Sequence, residues 1–559
     1  MRLNCFFASV LLFSCFVSHA VLVRPAMANE HMSARVADQL GLVEAWNRSV
    51  SSPMGVQSIS DMELYVHESR PNQYLEVITT DPAKSVRPGK KIKPENKNKI
   101  DSAKKKDDNV RVLSRFLVEP ESEIDETIVS TNKTTPFSGG SAFRGKKEAE
   151  RLASNEIRRL KRRGITATTR MVSSPRVGLY SIANDGSLEA RDAETGQTLW
   201  TTRVGDSRMT YYQIGVNDTH ISVVNGGNMI IVRTDTGEVE RELVLGRTPI
   251  FGAINAGGYA MIQGISGGVV CYSLDDLEHD PYYESVEGYA ISQPTLAPRS
   301  TKVAWSTDKG FVFVMDMEGT PSTLFRLKTD GLVTGKIAAA KNERFYFGSE
   351  SGQVYGIRAT REGLVKWSQP FGEPFYGEPI VIEQQLFMRS SYNNLYCLST
   401  IDGSQLWDNT VSGVTELVGA VAHELFVRAS DGSLMVIHRE TGERIGSYPS
   451  LQPAMTISNA FTDRLYLVSD HGGIQCLRPI SSELPTLNTQ PDTIPAATEE
   501  EAEAKEDKPK KSKGGMFDDK ETKPVDPFGG DSTDPFGGGS SDPFGGGGGD
   551  PFGADPFGN

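Results

Sequence analysis

One pattern recurs about every 40 residues along most of this chain, and that period restricts the available folds more than any other feature. The stretch "DGSLEARDAETGQTLW" at 185–200 returns as "NNLYCLSTIDGSQLW" at 393–407 and as "DGSLMVIHRETGERIG" at 431–446. Aligning the turn in each copy gives a column of Gly186, Asn228, Gly267, Gly310, Gly352, Asn393, Gly432 and Gly472. Successive members are 42, 39, 43, 42, 41, 39 and 40 residues apart. Each is Gly or Asn, the residues that most readily take the positive φ of a two-residue hairpin. Four residues on stands a column of small or modest side chains: Ala190, Val232, Cys271, Val314, Gly356, Cys397, Val436 and Cys476. β-rich runs such as "HISVVN", "RFYFGS" and "LYLVSD" precede the turns, and others such as "FVFVMD" and "SLMVIH" follow them.

Short strands joined by glycine turns in eight copies predict a mainly β fold, an eight-bladed β-propeller, with seven blades if the terminal copy is degenerate. Crowding of inner strands near the axis would explain the small column. Cys271, Cys397 and Cys476 then lie on different blades, too far apart to bond, as small buried apolar residues. The last copy ends soon after "GGIQCLRPI" and lacks a final strand. The β-branched run "ITATTRMV" at 165–172 is the expected closing strand, which would remove an open sheet edge.

The fuller phrase "LEARDAETGQTLW", with Asp192, Thr195, Gly196 and Trp200, resembles the quinoprotein-type repeat, usually "lyALDaeTGe.lW". Later copies keep "TDTGE" at 234–238, "KW" at 366–367, "DGSQLW" at 402–407 and "ETGE" at 440–443. The resemblance spans roughly 165–480 and implies that the threonine–glycine turn and the tryptophan dock neighbouring blades. Two branches share such repeats. Quinone-dependent dehydrogenases hold pyrroloquinoline quinone and calcium over the axis, with adjacent cysteines, a Glu/Asn calcium pair, a catalytic Asp and long insertions between blades. This chain has no Cys-Cys pair and compact blades, so it looks like the second, non-enzymatic branch. That branch includes exported propellers such as the lipoprotein subunit of the outer-membrane β-barrel assembly machine. The layout is also similar to exported propeller proteins of planctomycete-type bacteria.

Residues 29–164 do not repeat and are expected to form a small α+β domain. "MELYVHES" and "QYLEVITT" read as a strand pair around "RPN", and "VRVLSRFLVEP" as a third strand. A lysine-rich stretch between them is too polar to be other than a loop. "GKKEAERLASNEIRRLKRRG" then places Ala149, Leu152, Ala153, Ile157 and Leu160 on one helical face, with Gly164 as C′ residue.

At the N-terminus, Arg2 and an apolar run precede "PAMANE", which predicts a signal peptide at 1–28 cleaved after Ala28, with Ala20 as second choice. "LFSC" leaves open a lipid anchor at Cys15, although Phe13 fits that pattern poorly. The expected location is the periplasm or cell envelope.

Residues 481–559 change character. An acidic polar run leads to five Asp-Pro-Phe-Gly copies among glycines, which cannot build a core and are expected to be disordered. Phe528, Phe536, Phe544, Phe552 and Phe557 are candidate partner-binding anchors, each stiffened by a preceding proline. Five weak sites on one string would bind with avidity. A neutral low-complexity tail is the plain alternative.

A net charge of −13 argues against a nucleic-acid partner. No Gly-x-Ser-x-Gly elbow, phosphate loop, His-Glu-x-x-His or Cys-x-x-Cys occurs. No residue is assigned a catalytic, cofactor or metal role. The expected function is an exported, non-enzymatic scaffold for protein–protein interaction in the envelope. The alternatives are a quinone-dependent redox enzyme or cofactor binder, and a carbohydrate- or polymer-binding propeller.

Overall fold

The computed structural model describes residues 29–51, 55–79, 111–118, 145–276 and 278–488. The expected signal peptide, Cys15, the lysine-rich stretch and the five tail phenylalanines lie outside these residues. What is described belongs to one unit, Met1–Pro491.

Eight antiparallel sheets follow one another along the chain, seven of four strands and one of five. In a regular sheet the first strand is short and the fourth carries the exposed residues. Thus Gly215–Val216 is wholly buried, whereas Val239–Val244 alternates exposed with half-buried side chains. Hydrophobic clusters join each sheet to the next. Val223 and Ile230 of the second sheet pack with Ile182 and Leu188 of the first, and Met62, Val177 and Leu179 of the first pack with Tyr466 and Cys476 of the eighth. The interfaces therefore run in a closed circuit, which is how strongly twisted sheets bury both faces.

The turn column behaves as its chemistry requires. Gly186, Gly310 and Asn393 take φ of 88°, 70° and 62°. Asn228 is the exception: there the hairpin is Gly226–Gly227, and Asn228 already pairs with Asn225 across the ladder.

Two sequence expectations are corrected at the N-terminus. The ring is not closed by residues 165–172. Its closing strand is β1 (Leu42–Ser49), which pairs antiparallel with Gly473–Pro479 as the outermost strand of the last sheet. The "RPN" segment is not the turn of a strand pair either. It lies within one long strand, β2 (Ile59–Thr79), irregular between His67 and Asn72. The first half of β2 is the innermost strand of sheet one. Both halves pair with β4 (Thr168–Ala183), and β3 (Arg111–Val118) adds to the second half. Sheet one continues with β5 (Ser187–Asp192) and β6 (Thr198–Arg203). Beyond the ring, α2 (Gly145–Arg162) covers this extended ladder, after a short α1 (Ala34–Gln39) that packs between sheets seven and eight.

The α2 helix forms where its apolar spacing predicts. Ala149, Ala153 and Leu160 are buried against Leu75 and Val77, with Ile157 partly buried beside them, while Leu152 is 36 % exposed at the margin of the face. It ends at Gly164, φ +74°, where the Ile165 N–H reaches the Leu160 carbonyl at 3.1 Å in a Schellman closure. On the other face of the ladder Glu76, almost fully buried, accepts from Arg115 at 2.7 Å and Arg170 at 2.9 Å. Burial pushes its pKa up, but the two guanidiniums outweigh that and hold it below the usual range.

Candidate interaction site

The tryptophans do structural work at the seams between sheets. Trp200 Nε1 donates to the Thr234 carbonyl of the next sheet at 3.0 Å, Trp367 to Thr400 at 3.2 Å and Trp407 to Arg439 at 2.9 Å. Each indole lies on the glycine of that next turn. A Cβ at Gly237 would meet Trp200, and one at Gly403 would meet Trp367, both at 2.4 Å. This is the docking the repeat resemblance implied. It also corrects the reason for the small column. Those residues are on the third strand, not at the axis, and several face the aromatic on the fourth: Ala190 pairs with Trp200, Gly356 with Trp367 and Cys476 with Trp46. A Cβ on Gly356 would lie 2.4 Å from the Trp367 ring. Cys271, Cys397 and Cys476 are free and buried, and burial pushes the first two thiols up to about 12.

Trp46 is the seam residue that sequence reading missed. It completes the last sheet, donates to the Ala193 carbonyl of sheet one at 2.9 Å and covers Gly196 as its counterparts cover theirs. The only signal was the tryptophan itself, in "LVEAWNRS", because no threonine–glycine turn precedes it.

Around the axis, the inner strands and the connections leading into them carry a charged group. Asp61 and Glu63 project from β2, and Lys336 pairs with Glu378 at 3.2 Å. Burial pushes Glu63 up to about 7 against the pull of Lys336. Burial also raises Asp61, although it accepts from the Ile214 N–H at 2.9 Å. Burial would lower Lys336, but Glu378, Glu63 and Asp61 together outweigh it and raise its pKa. Among the described residues no three His, Cys, Asp or Glu side chains converge on a common metal position. With one free cysteine on each of three sheets and no adjacent pair, the described side chains do not fit the calcium–quinone arrangement of the dehydrogenase branch.

One mouth of the axis is crossed by the chain itself, on the side where first and second strands meet. Asp218 accepts from the Glu68 and Ser69 N–H groups at 3.1 and 2.7 Å, and Glu68 accepts from the Arg299 N–H of sheet four at 2.7 Å. From the other terminus, Asn488 receives the Glu383 N–H of sheet six at 3.0 Å and donates to Phe461 of sheet eight at 2.8 Å. The opposite face consists of the second-to-third-strand turns and the connections between sheets. Here large apolar side chains stand in solvent: Met209 is 55 % exposed, Ile265 63 %, Tyr289 48 %, Tyr376 49 % and Tyr392 67 %. Exposed apolar residues also occur on the crossed face, Ile401 at 63 % and Phe461 at 40 %, but among the described residues this face alone presents three exposed tyrosines in its turns and connections.

A family profile described as outer membrane protein assembly factor BamB matches residues 295–465. It supports a propeller of quinoprotein-type repeats. No curated protein matches the chain. Among solved structures, BamB from Moraxella catarrhalis is 15 % identical over 54 % of this chain and 93 % of its own, with a TM-score of 0.43. The computationally designed Ika8 protein is 15 % identical over 54 % and 92 %, with a TM-score of 0.40. Dihydro-heme d1 dehydrogenase NirN in complex with DHE is 12 % identical over 51 % and 66 %, with a TM-score of 0.39. At these scores the likenesses carry no functional argument. No helix among the described residues is long and apolar enough to cross a membrane.

Proposed function

We propose that the chain is an exported, non-enzymatic, eight-bladed propeller scaffold that binds proteins of the cell envelope. The supporting observation is the division of labour among its side chains. The repeat residues are consumed in docking sheet to sheet, while Met209, Ile265, Tyr289, Tyr376 and Tyr392 stand exposed on the face that the chain's own ends leave uncrossed. Such a surface suits protein contact, where tyrosine and methionine are favoured anchors. The tail is a second docking element, with Phe528, Phe536, Phe544, Phe552 and Phe557 as its anchors.

A crosslinked pull-down from envelope extract tests this reading. The wild-type chain is compared with one carrying Phe→Ala at all five tail positions and one carrying Tyr289→Ser, Tyr376→Ser and Tyr392→Ser. Specific partners lost with either set support the scaffold. Identical capture by both variants, or no specific partner for any, sinks it.

A further inference from the structure

We propose that the uncrossed face of the ring binds a basic segment of a partner protein, one in which apolar side chains alternate with lysine or arginine. This deepens the scaffold reading and rests on it.

The argument is one of charge complementarity on an apolar surface. Carboxylates recur in the turns of this face: Asp185, Asp308, Glu350, Asp431 and Asp470 stand between second and third strands. Asp206, Glu287, Asp330 and Glu373 stand in the connections between sheets. Against them the same segments carry Arg208, Arg247, Lys309 and Lys336 as arginine or lysine, and Arg326 from a flanking strand pairs with Glu287 at 2.5 Å. Three of these are already engaged, Lys336 with Glu378 of the next connection at 3.2 Å. Arg247 donates to the Gly267 carbonyl at 2.9 Å and lies over the Tyr283 ring, and Lys309 pairs with Asp308 at 3.3 Å.

Acid and apolar group are neighbours within one connection or across adjoining ones. Asp308 accepts from the Tyr289 N–H at 2.9 Å, so a fixed carboxylate stands beside an exposed ring. Glu373 lies three residues before Tyr376 and is held by Asn394 at 3.1 and 3.2 Å. Asp206 lies three residues before Met209 and accepts from the Arg208 N–H at 2.9 Å. The apolar members of these three units stand in the connections leaving the first, third and fifth sheets, with Asp308 supplied by the fourth. Local hydrogen bonds use only part of each carboxylate's capacity and fix where the rest points. Burial raises the pKa of Asp330 and Glu373, but hydrogen bonds outweigh it and hold both below the usual range, so these two stay ionised through mild acid. A lysine or arginine finds a preorganised acceptor there with an apolar neighbour for its stem, while nucleic acid and anionic lipid are repelled.

The test uses the full chain and a fluorescein-labelled peptide alternating Lys, Leu, Arg and Trp, followed by fluorescence anisotropy. Controls replace every Lys and Arg with Gln, or with Glu. The basic peptide is expected to bind about tenfold tighter than the Gln form, with the advantage shrinking as salt rises. Binding should weaken about tenfold in the Tyr289→Ser, Tyr376→Ser, Tyr392→Ser protein, and comparably in Glu287→Lys, Glu350→Lys. These positions are solvent-accessible, and unchanged thermal melts show that each variant is folded. Equal binding of the Glu peptide, or no loss in either variant, overturns the proposal. So does sedimentation of the wild-type chain as an oligomer that the Tyr variant abolishes, because the occupant is then a second copy. If the peptide fails while envelope crosslinks persist, the partner class is wrong and the scaffold stands. If both fail, the scaffold falls too.

Discussion

Two seams of the same ring are held differently. Between sheets five and six the chain continues covalently, and the contact is mostly apolar: Trp367 on Gly403, with Tyr346, Leu386 and Tyr396 in one cluster. Between sheets eight and one the chain is also continuous, β1 running through residues 50–58 into β2, but β1 has no direct connection to Gly473–Pro479, the strand it pairs with, and this seam adds buried charge. Arg464, fully buried, donates to Glu194 of sheet one and to Asp463, each at 2.9 Å. Nearby, Arg191 donates to Glu189 and to the Ser49 carbonyl, while Glu189 accepts from the Ser51 N–H, which fastens the end of β1. Buried ion pairs contribute little net stability relative to apolar packing, but they penalise every mispairing. We read the charges at this seam as register pins for β1, which the backbone joins to sheet one and not to the sheet it completes.

The largest way to break this comparison is Trp46→Ala. Truncating a buried tryptophan costs about 3–5 kcal/mol, and Trp367→Ala should cost a similar amount. Only Trp46→Ala, however, should release β1, seen as fast amide exchange across Leu42–Ser49 with the middle sheets still protected. Equal loosening by both variants would erase the distinction between the seams.

Next in size is Arg464→Met, which strands Glu194 and Asp463 in the interior at a cost of about 3 kcal/mol or more. Adding Glu194→Gln and Asp463→Asn should recover much of the loss in urea unfolding; no recovery would mean that packing, not charge, holds the seam.

Smaller again is Gly403→Ala. Its φ of +74° and the Trp367 ring predict a loss of about 1–3 kcal/mol. Gly41→Ala, φ +64° with open space around it, isolates the strain from the clash and should cost less.

The smallest effect is on pH dependence. Burial pushes Glu194 up to about 7, against the pull of Arg464. The folded state therefore holds a proton that the unfolded state releases near 4.5, and this contribution is full below that pH and fades as pH rises toward 7. Glu63 acts in the same direction. Glu194→Gln should flatten part of the decline in melting temperature across that interval. Glu76 and Glu189, held below the usual range, act in the opposite sense, their contribution being lost only in more acidic solution.

The repeat was legible because its signals are local: a glycine that must turn and a tryptophan that must dock fall at fixed spacing within one copy. The closing strand was not, because β1 meets its partner far along the chain and carries neither the turn nor the threonine–glycine pair. Its alternation was also weak, with Leu42 and Trp46 the buried side chains among mostly exposed ones. The axial acids were hidden for another reason. In "SDMELYV" Asp61, Glu63 and Tyr65 alternate with Met62, Leu64 and Val66, which looks like any strand with one wet face. Only the circuit of sheets turns that face toward the axis. The small column was found, but its cause was misread, since the aromatic that needs the space stands on another strand.

The pairing of β1 with Gly473–Pro479 also sets the order of events in time. On a chain made from its N-terminus, the first strand is synthesised early and stays without its partner until almost the whole ring exists. This is contact order at its extreme, and such closures are slow. Meanwhile β1 and the last sheet each present an unpaired edge to other chains. Refolding should therefore slow at the final step, and its yield should drop with protein concentration, because a neighbour's β1 can fill the vacancy as well as the chain's own.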